Sequence, residues 1–189
     1  NAKNRNIFMD TYIMSKDRFL GLIKKARKLS STYTLSQVVN YECEELDIRG
    51  VAHHGYFAAI TDFKSYFDAN LSLLNLKTAM GLFNSDWPIY TRTNDSCPTQ
   101  YFETANVKNS YVSNGCLIEG TVENSVIGRG CVIKKDAVVK NSILLPGTSI
   151  DKDVHVENFV IDKYAKIVHT SEVVASPEKP GYIRRHDTI

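Results

Sequence analysis

The sequence has no excess of charge, no closely spaced cysteine pair and no long apolar run, and each lack removes a class of protein. Its 23 Lys and Arg against 21 Asp and Glu leave a formal charge of +2, too little to build the basic field that a nucleic-acid partner needs. The run Lys24-Lys25-Ala26-Arg27-Lys28 has helical surroundings and reads as a solvated helix face rather than a phosphate patch. Of the four cysteines, Cys43, Cys97, Cys116 and Cys131, no two are spaced C-x-x-C, which argues against a zinc knuckle or a thioredoxin-like motif. Cys116 and Cys131 sit where a repeat wants small interior residues, and reduced, buried thiols fit a cytoplasmic protein better than disulfides do. No apolar stretch approaches the ~18 residues of a membrane span, and no signal peptide is evident, so no membrane partner is expected. The chain opens at Asn1 without an initiator Met, in polar sequence before a strand, and is expected to be a fragment.

What is present is ordinary globular material, 43% hydrophobic over 189 residues, enough for one large or two small domains. Residues 7–14 are rich in strand formers. Ser15 then offers a helix N-cap, followed by Phe19, Leu22, Ile23, Ala26 and Leu29 at helical spacing. Residues 46–60 carry two short apolar runs around Gly50 and Gly55 that read as strands. Asp62 can cap a helix whose inner face is Phe63, Tyr66, Phe67, Asn70, Leu71 and Leu74. This alternation predicts the tail end of an α/β domain over residues 1–83. Residues 84–106, with the turn clusters at 84–88 and 94–98, read as a linker packed down by Trp87, Ile89, Tyr90, Tyr101 and Phe102.

From Val107 the sequence repeats itself. Residues 107–118 read V-K-N-S-Y-V-S-N-G-C-L-I and 122–133 read V-E-N-S-V-I-G-R-G-C-V-I. Two further copies begin at Val139 and Val156, so the last three start 17 residues apart (139−122, 156−139). The aliphatic series Val122, Ile127, Ile133, Val139, Leu144, Ile150, Val156, Ile161, Ile167 advances by 5, 6 and 6 in turn. Neither the 3.6 period of a helix nor the period of 2 of a strand fits. A period near six fits one side of a triangular coil, the signature of a hexapeptide β-helix. The expected fold is therefore a left-handed parallel β-helix of about four coils over 107–168, with its asparagines stacked at one corner and a poorly ordered polar tail over 169–189.

The β-helix alone does not choose a function. A hexapeptide acyltransferase needs a general base at the coil surface. Only His155 and His169 lie in the repeats, neither with an evident partner in sequence. His53, His54, His155, His169 and His186 are too scattered for a three-His zinc site.

The order of parts, with Gly55-Tyr56-Phe57, Asp68-Ala69-Asn70-Leu71, Trp87-Pro88-Ile89-Tyr90-Thr91 and Asn109-Ser110-Tyr111-Val112-Ser113-Asn114-Gly115-Cys116, resembles the C-terminal half of a glucose-1-phosphate adenylyltransferase (ADP-glucose pyrophosphorylase). Within that family it is most similar to the GlgD-type subunit of bacterial glycogen synthesis. The resemblance implies a reaction in which glucose 1-phosphate attacks the ATP α-phosphate beside Mg²⁺ held by two Asp carboxylates. One of these lies in a Gly-Tyr-Trp-x-Asp-Val-Gly-Thr motif, matched here by Gly55 to Asp62. The metal Asp is Ala59 in this chain, the sugar-stacking Trp is Phe57, and the Gly is Thr61. The Ser-Met-Gly-Ile-Tyr strand matches Phe8-Met9-Asp10-Thr11-Tyr12, keeping only Tyr12. Asp-Phe-Gly appears as Tyr33-Thr34-Leu35, and Pro-Pro-Ala-Lys-Phe as Cys97-Pro98-Thr99-Gln100-Tyr101.

These losses imply a subunit without catalytic residues or metal ligands of its own, with Tyr12 and Phe57 as remaining substrate-contact positions. It would regulate or assemble a heterotetramer with a catalytic homologue that carries the Mg²⁺, through contacts of the β-helix. The alternatives are an active adenylyltransferase and a hexapeptide acyltransferase.

Overall fold

The computed structural model describes residues 8–29, 34–83, 88–91 and 93–189. The chain divides into two units, Asn1–His53 and His54–Ile189, and each is described by itself.

In the first unit α1 (Lys16–Leu29) starts as expected, the Arg18 N–H donating to Ser15 Oγ at 3.3 Å. The apolar spacing gives no sign of a second helix, α2 (Leu35–Tyr41). Its signal is the spacing Thr34-x-x-Gln37: the Gln37 N–H donates to Thr34 Oγ1 and the Thr34 N–H to Gln37 Oε1, a reciprocal cap of two otherwise orphan donors. The helices pack together, Leu22 and Val38 being buried, and Lys25 pairs with Glu42. The strand expected over 7–14 does not form in the described residues 8–14, nor do the strands expected over 46–60. A strand needs a neighbour to take its N–H and C=O groups, and these segments have none among the described residues.

The second unit is built on a solenoid of five coils. The first carries β1 (Gln100–Tyr101), β2 (Asn106–Lys108) and β3 (Tyr111–Val112), and the second β4 (Leu117–Ile118), β5 (Thr121–Glu123) and β6 (Val126–Ile127). The third carries β7 (Val132–Ile133), β8 (Val138–Lys140) and β9 (Ile143–Leu144), and the fourth β10 (Ser149–Ile150), β11 (His155–Glu157) and β12 (Phe159–Ile161). The fifth carries β13 (Lys166–Ile167), β14 (Glu172–Val174) and β15 (Gly181–Ile183). Corresponding strands pair in parallel and in register, giving three five-stranded sheets. The repeat therefore makes a parallel β-solenoid, as its period requires. It outruns both expected ends: Tyr101 and Phe102, assigned to the linker, stand at its first coil, and residues 169–189, expected as a loose tail, form the fifth. There Ile189 donates to the Lys166 carbonyl. The tail lacks the repeat's sequence but has the same free strand edge to pair with.

The whole aliphatic series from Val122 to Ile167 is buried to 1% exposure or less. Each such side chain contributes roughly 1.5–3 kcal/mol by leaving water, and it does so only because its equivalent lies above and below. The small residues Cys116, Cys131, Thr148 and Ala165, which stack in one column, and Ala137 at another corner are equally buried. Part of that column has a second role, because Cys116 Sγ, Cys131 Sγ and Thr148 Oγ1 donate to the corner carbonyls of Gly128, Leu145 and Leu145. A hydroxyl or thiol there satisfies a carbonyl that the turn leaves without a strand partner.

The corner asparagines Asn109, Asn124, Asn141 and Asn158 all turn the chain with positive φ, 42° to 57°. Their amide ladder is realised once, by Asn109 Nδ2 to Asn124 Oδ1 at 2.7 Å; Asn141 and Asn158 donate to Glu157 and to the Ala175 carbonyl instead. The continuous ladder is made by the serines beside them. Ser110 Oγ accepts the Ser125 N–H, Ser125 Oγ the Ser142 N–H, and Ser142 Oγ the Phe159 N–H, each at 3.1 Å. The second coil is two residues short at the corner Glu119-Gly120, and Gly120 is what permits this. A Cβ there would lie 2.7 Å from the Lys134 carbonyl oxygen and closer still to that of Ala137.

Candidate functional site

The outward face of the third sheet is apolar, with Tyr111, Val126, Ile143, Val160 and Tyr182 in register. The second sheet instead shows Lys108, Glu123, Lys140 and Glu157. The apolar face is covered by α3 (Phe63–Ser72), whose Phe67 is buried with Ile143 and Val160, flanked by Tyr66, Leu71, Val126 and Leu145. The inner face expected for this helix is thus the one that seats it on the solenoid, with Leu74 falling past its end.

The segment Gly55–Asp62 runs back along this helix and is tied to it at both ends. The Tyr56 hydroxyl lies 3.0 Å from Ser72 Oγ and donates to the Ala69 carbonyl at 3.4 Å. At the other end Ser65 Oγ accepts the N–H groups of Thr61 and Asp62, both at 3.0 Å, while Asp62 Oδ1 accepts the Ser65 N–H at 2.7 Å. That capping bond, with Lys64 nearby, holds the Asp62 carboxyl below the ordinary Asp range. A further helix, α4 (Leu76–Leu82), follows, the Lys77 and Thr78 N–H groups donating to Asn75 Oδ1.

Between the ties Phe57 is 43% exposed and Ala59 is exposed. A magnesium ion does not fit this segment. Ala59 offers no oxygen, and the nearest carboxylate in sequence, Asp62, is occupied as a helix cap. Among the described residues no group of three or more His, Cys, Asp and Glu could hold a metal.

Tyr12 lies in the first unit, half-buried and edge-on to Phe8 with centroids 5.2 Å apart. Partial desolvation and the Asp10 carboxylate raise its pKa. Phe57 and Ala59 lie in the second unit. Trp87 and Tyr33, quoted for the resemblance, fall outside the described residues.

His155 Nε2 is buried without a hydrogen-bond partner among the described residues, with Glu157 Oε2 3.4 Å away. A strand places residues i and i+2 on one face, a signal that was present in the sequence. His186 stacks on Tyr164 at 5.2 Å. Sequence reasoning also missed Ser65, whose spacing from Asp62 is that of a capping box, and Tyr56, whose hydroxyl gives no local sign of its partner.

A hexapeptide-repeat solenoid with a helix seated on one face defines the class. Residues 98–181 match the family model described as GlmU-like, C-terminal hexapeptide. At the level of individual proteins, the chain is 38% identical over 181 residues to glycogen biosynthesis protein GlgD of Bacillus subtilis (strain 168), covering 94% of this chain and 51% of that protein. It is 25% identical over 196 residues to a glucose-1-phosphate adenylyltransferase of Thermodesulfovibrio yellowstonii, covering 96% and 46%. A third relative, the glucose-1-phosphate adenylyltransferase of Geobacillus stearothermophilus, is 42% identical over 87 residues, 46% of this chain and 22% of that enzyme. The resemblance read from the motifs is therefore borne out. The chain spans about half the length of the curated relatives it matches along its whole extent.

Proposed function

We propose that this chain is the C-terminal half of a regulatory or assembly subunit of bacterial ADP-glucose pyrophosphorylase, acting in cytoplasmic glycogen synthesis. Its partner is a catalytic glucose-1-phosphate adenylyltransferase homologue, which carries the Mg²⁺ and makes ADP-glucose and pyrophosphate. The two assemble as a heterotetramer through a left-handed β-helix. The observation that carries the reading is Ala59. Where the related enzymes' motif has a metal carboxylate, this chain has a methyl group, and the neighbouring Asp62 is already used as a cap.

Residues 1–83 belong, on this reading, to a nucleotidyltransferase-like α/β domain. Their exposed apolar side chains support that, Ile13, Val51, Leu76 and Met80 among them. Such a surface is the inside of a larger domain rather than the outside of a small one. No helix among the described residues is long and apolar enough to cross a membrane.

The test is to assay the full-length protein with ATP and glucose 1-phosphate, alone and mixed with its catalytic homologue. The expected result is no pyrophosphate release alone and a raised or retuned rate in the mixture. Activity alone that a Tyr12→Ala change abolishes overturns the reading. Ala59→Asp by itself is expected to restore nothing, because the other pocket positions have changed as well.

A further inference from the structure

The helix α3 rests on the solenoid at two places. At its middle Phe67 is buried against Ile143 and Val160. At its first turn Phe63 meets the ring of Tyr182 edge-on, centroids 5.8 Å apart at 75°. Tyr182 belongs to β15 in the fifth coil, and its hydroxyl donates to Asp162 Oδ2 at 2.7 Å across from β12. Asp162 is itself held in place, its Oδ1 accepting the Lys163 N–H at 2.6 Å.

The two seats differ in kind. The central one is buried. The outer one is open to solvent, Phe63 39% and Tyr182 51% exposed, and Phe63 directly follows the cap residue whose bonds with Ser65 close the segment.

The geometry points to Tyr182 as a positioning residue by which the last coil holds the first turn of α3, and through Ser65 the segment bearing Phe57 and Ala59. The Asp162 bond orients the phenol ring, and the ring's edge-on contact does the holding. Residues expected to form a loose tail thereby act on the segment that faces substrate in the related enzymes. That functional meaning rests on the proposed reading of residues 55–62, whereas the contact itself does not.

Hydrogen exchange on the full-length protein tests it without any assay of activity. Tyr182→Ala is expected to speed exchange at the Thr61, Asp62, Ser65 and Tyr66 amides by roughly two- to ten-fold, the equivalent of one lost aromatic contact. Leu73, at the far end of the helix, and Val126 in the sheet beneath it keep their rates. Tyr182→Phe, which retains the ring, is expected to keep most of the protection.

Unchanged exchange at Thr61 to Tyr66 in the alanine variant overturns the proposal. So does equal loosening along the whole helix, which would mean undocking rather than a local hold. A phenylalanine variant as loose as the alanine one excludes the ring contact and overturns it too. A failure of any of these kinds leaves the subunit reading to be decided by the mixing assay, and failure there leaves the exchange result standing.

Discussion

In the solenoid Ile118, Ile127, Ile133 and Ile150 are withdrawn from water completely, whereas Ile13 and Val51 in the N-terminal part are 92% and 89% exposed. Both regions are rich in aliphatic and aromatic residues, so composition does not separate them. The distance to the partner does. Through the first four coils a solenoid residue packs on its equivalent 15 or 17 positions along the chain, as the register pair Leu117↔Val132 shows, and the fifth coil stretches this to 22 at Val160↔Tyr182. A strand of a parallel or mixed sheet pairs with a segment reached through a long crossover. A stretch of repeats therefore carries its own core, while a segment that needs a distant strand does not.

The contrast breaks most easily by removing one apolar side chain from each region. Leu144→Ala empties a position packed between Ile127 and Ile161 in the inner column and is expected to cost about 2–5 kcal/mol. Met80→Ala, at a residue 67% exposed, is expected to stay within about 0.5 kcal/mol. Denaturant unfolding followed by circular dichroism measures both, and similar losses would show that the two regions share one core. A smaller effect sharpens the same comparison. Ser142→Ala leaves the Phe159 N–H without its acceptor in a buried place, a loss of about 1–3 kcal/mol. Thr34→Ala removes an exposed cap from α2 and should cost about 1 kcal/mol, read as lost helicity. An Ser142 variant as stable as the parent would mean that the serine ladder is incidental.

How much was legible follows the same line. The 5-6-6 spacing named nearly every interior residue of coils two to four, because stacking forces each aliphatic position to recur. Coil five was not legible: its bonds from Ile189 and Tyr182 depend on an edge left free by coil four, not on its own pattern. The serine ladder is visible as Asn-Ser at 109–110, 124–125 and 141–142, but the pattern does not say which of the two side chains bridges the coils. Serine has the shorter side chain, and in these coils its hydroxyl reaches the next coil's N–H three times. At the candidate site the resemblance implied a carboxylate replaced by Ala59. It did not show that Asp62 was committed elsewhere, since that depends on Ser65 closing the cap. The strands expected over 7–14 and 46–60 are absent from the described residues because propensity describes a segment's fitness for a sheet and does not supply the neighbouring strand.

Acid separates the solenoid interior from the helix seated on it by the smallest and most local effect. Asp62 is held below the ordinary carboxyl pKa by the Ser65 amide and hydroxyl, and Asp162 by the Tyr182 hydroxyl and the Lys163 amide. A group whose pKa is depressed by folding contributes stability above its unfolded value, and that contribution disappears as pH falls through the folded value. Both bonds belong to the first turn of α3 and its seat on the last coil, while the buried columns of coils two to four hold no carboxyl group. Lowering the pH from 5 to 2 is therefore expected to shift the Ser65 amide resonance with a midpoint below 3.8, the ordinary Asp value, leaving the Val139 and Leu144 amides unmoved. Asp62→Asn keeps a side-chain acceptor for the cap but cannot titrate, so the Ser65 step should vanish while the helix persists. If Ser65 titrates in that variant as in the parent, the acid response comes from elsewhere. If the inner coils move along with it, the solenoid and its seated helix respond to acid as one body, and the distinction between a self-sufficient core and a dependent helix fails.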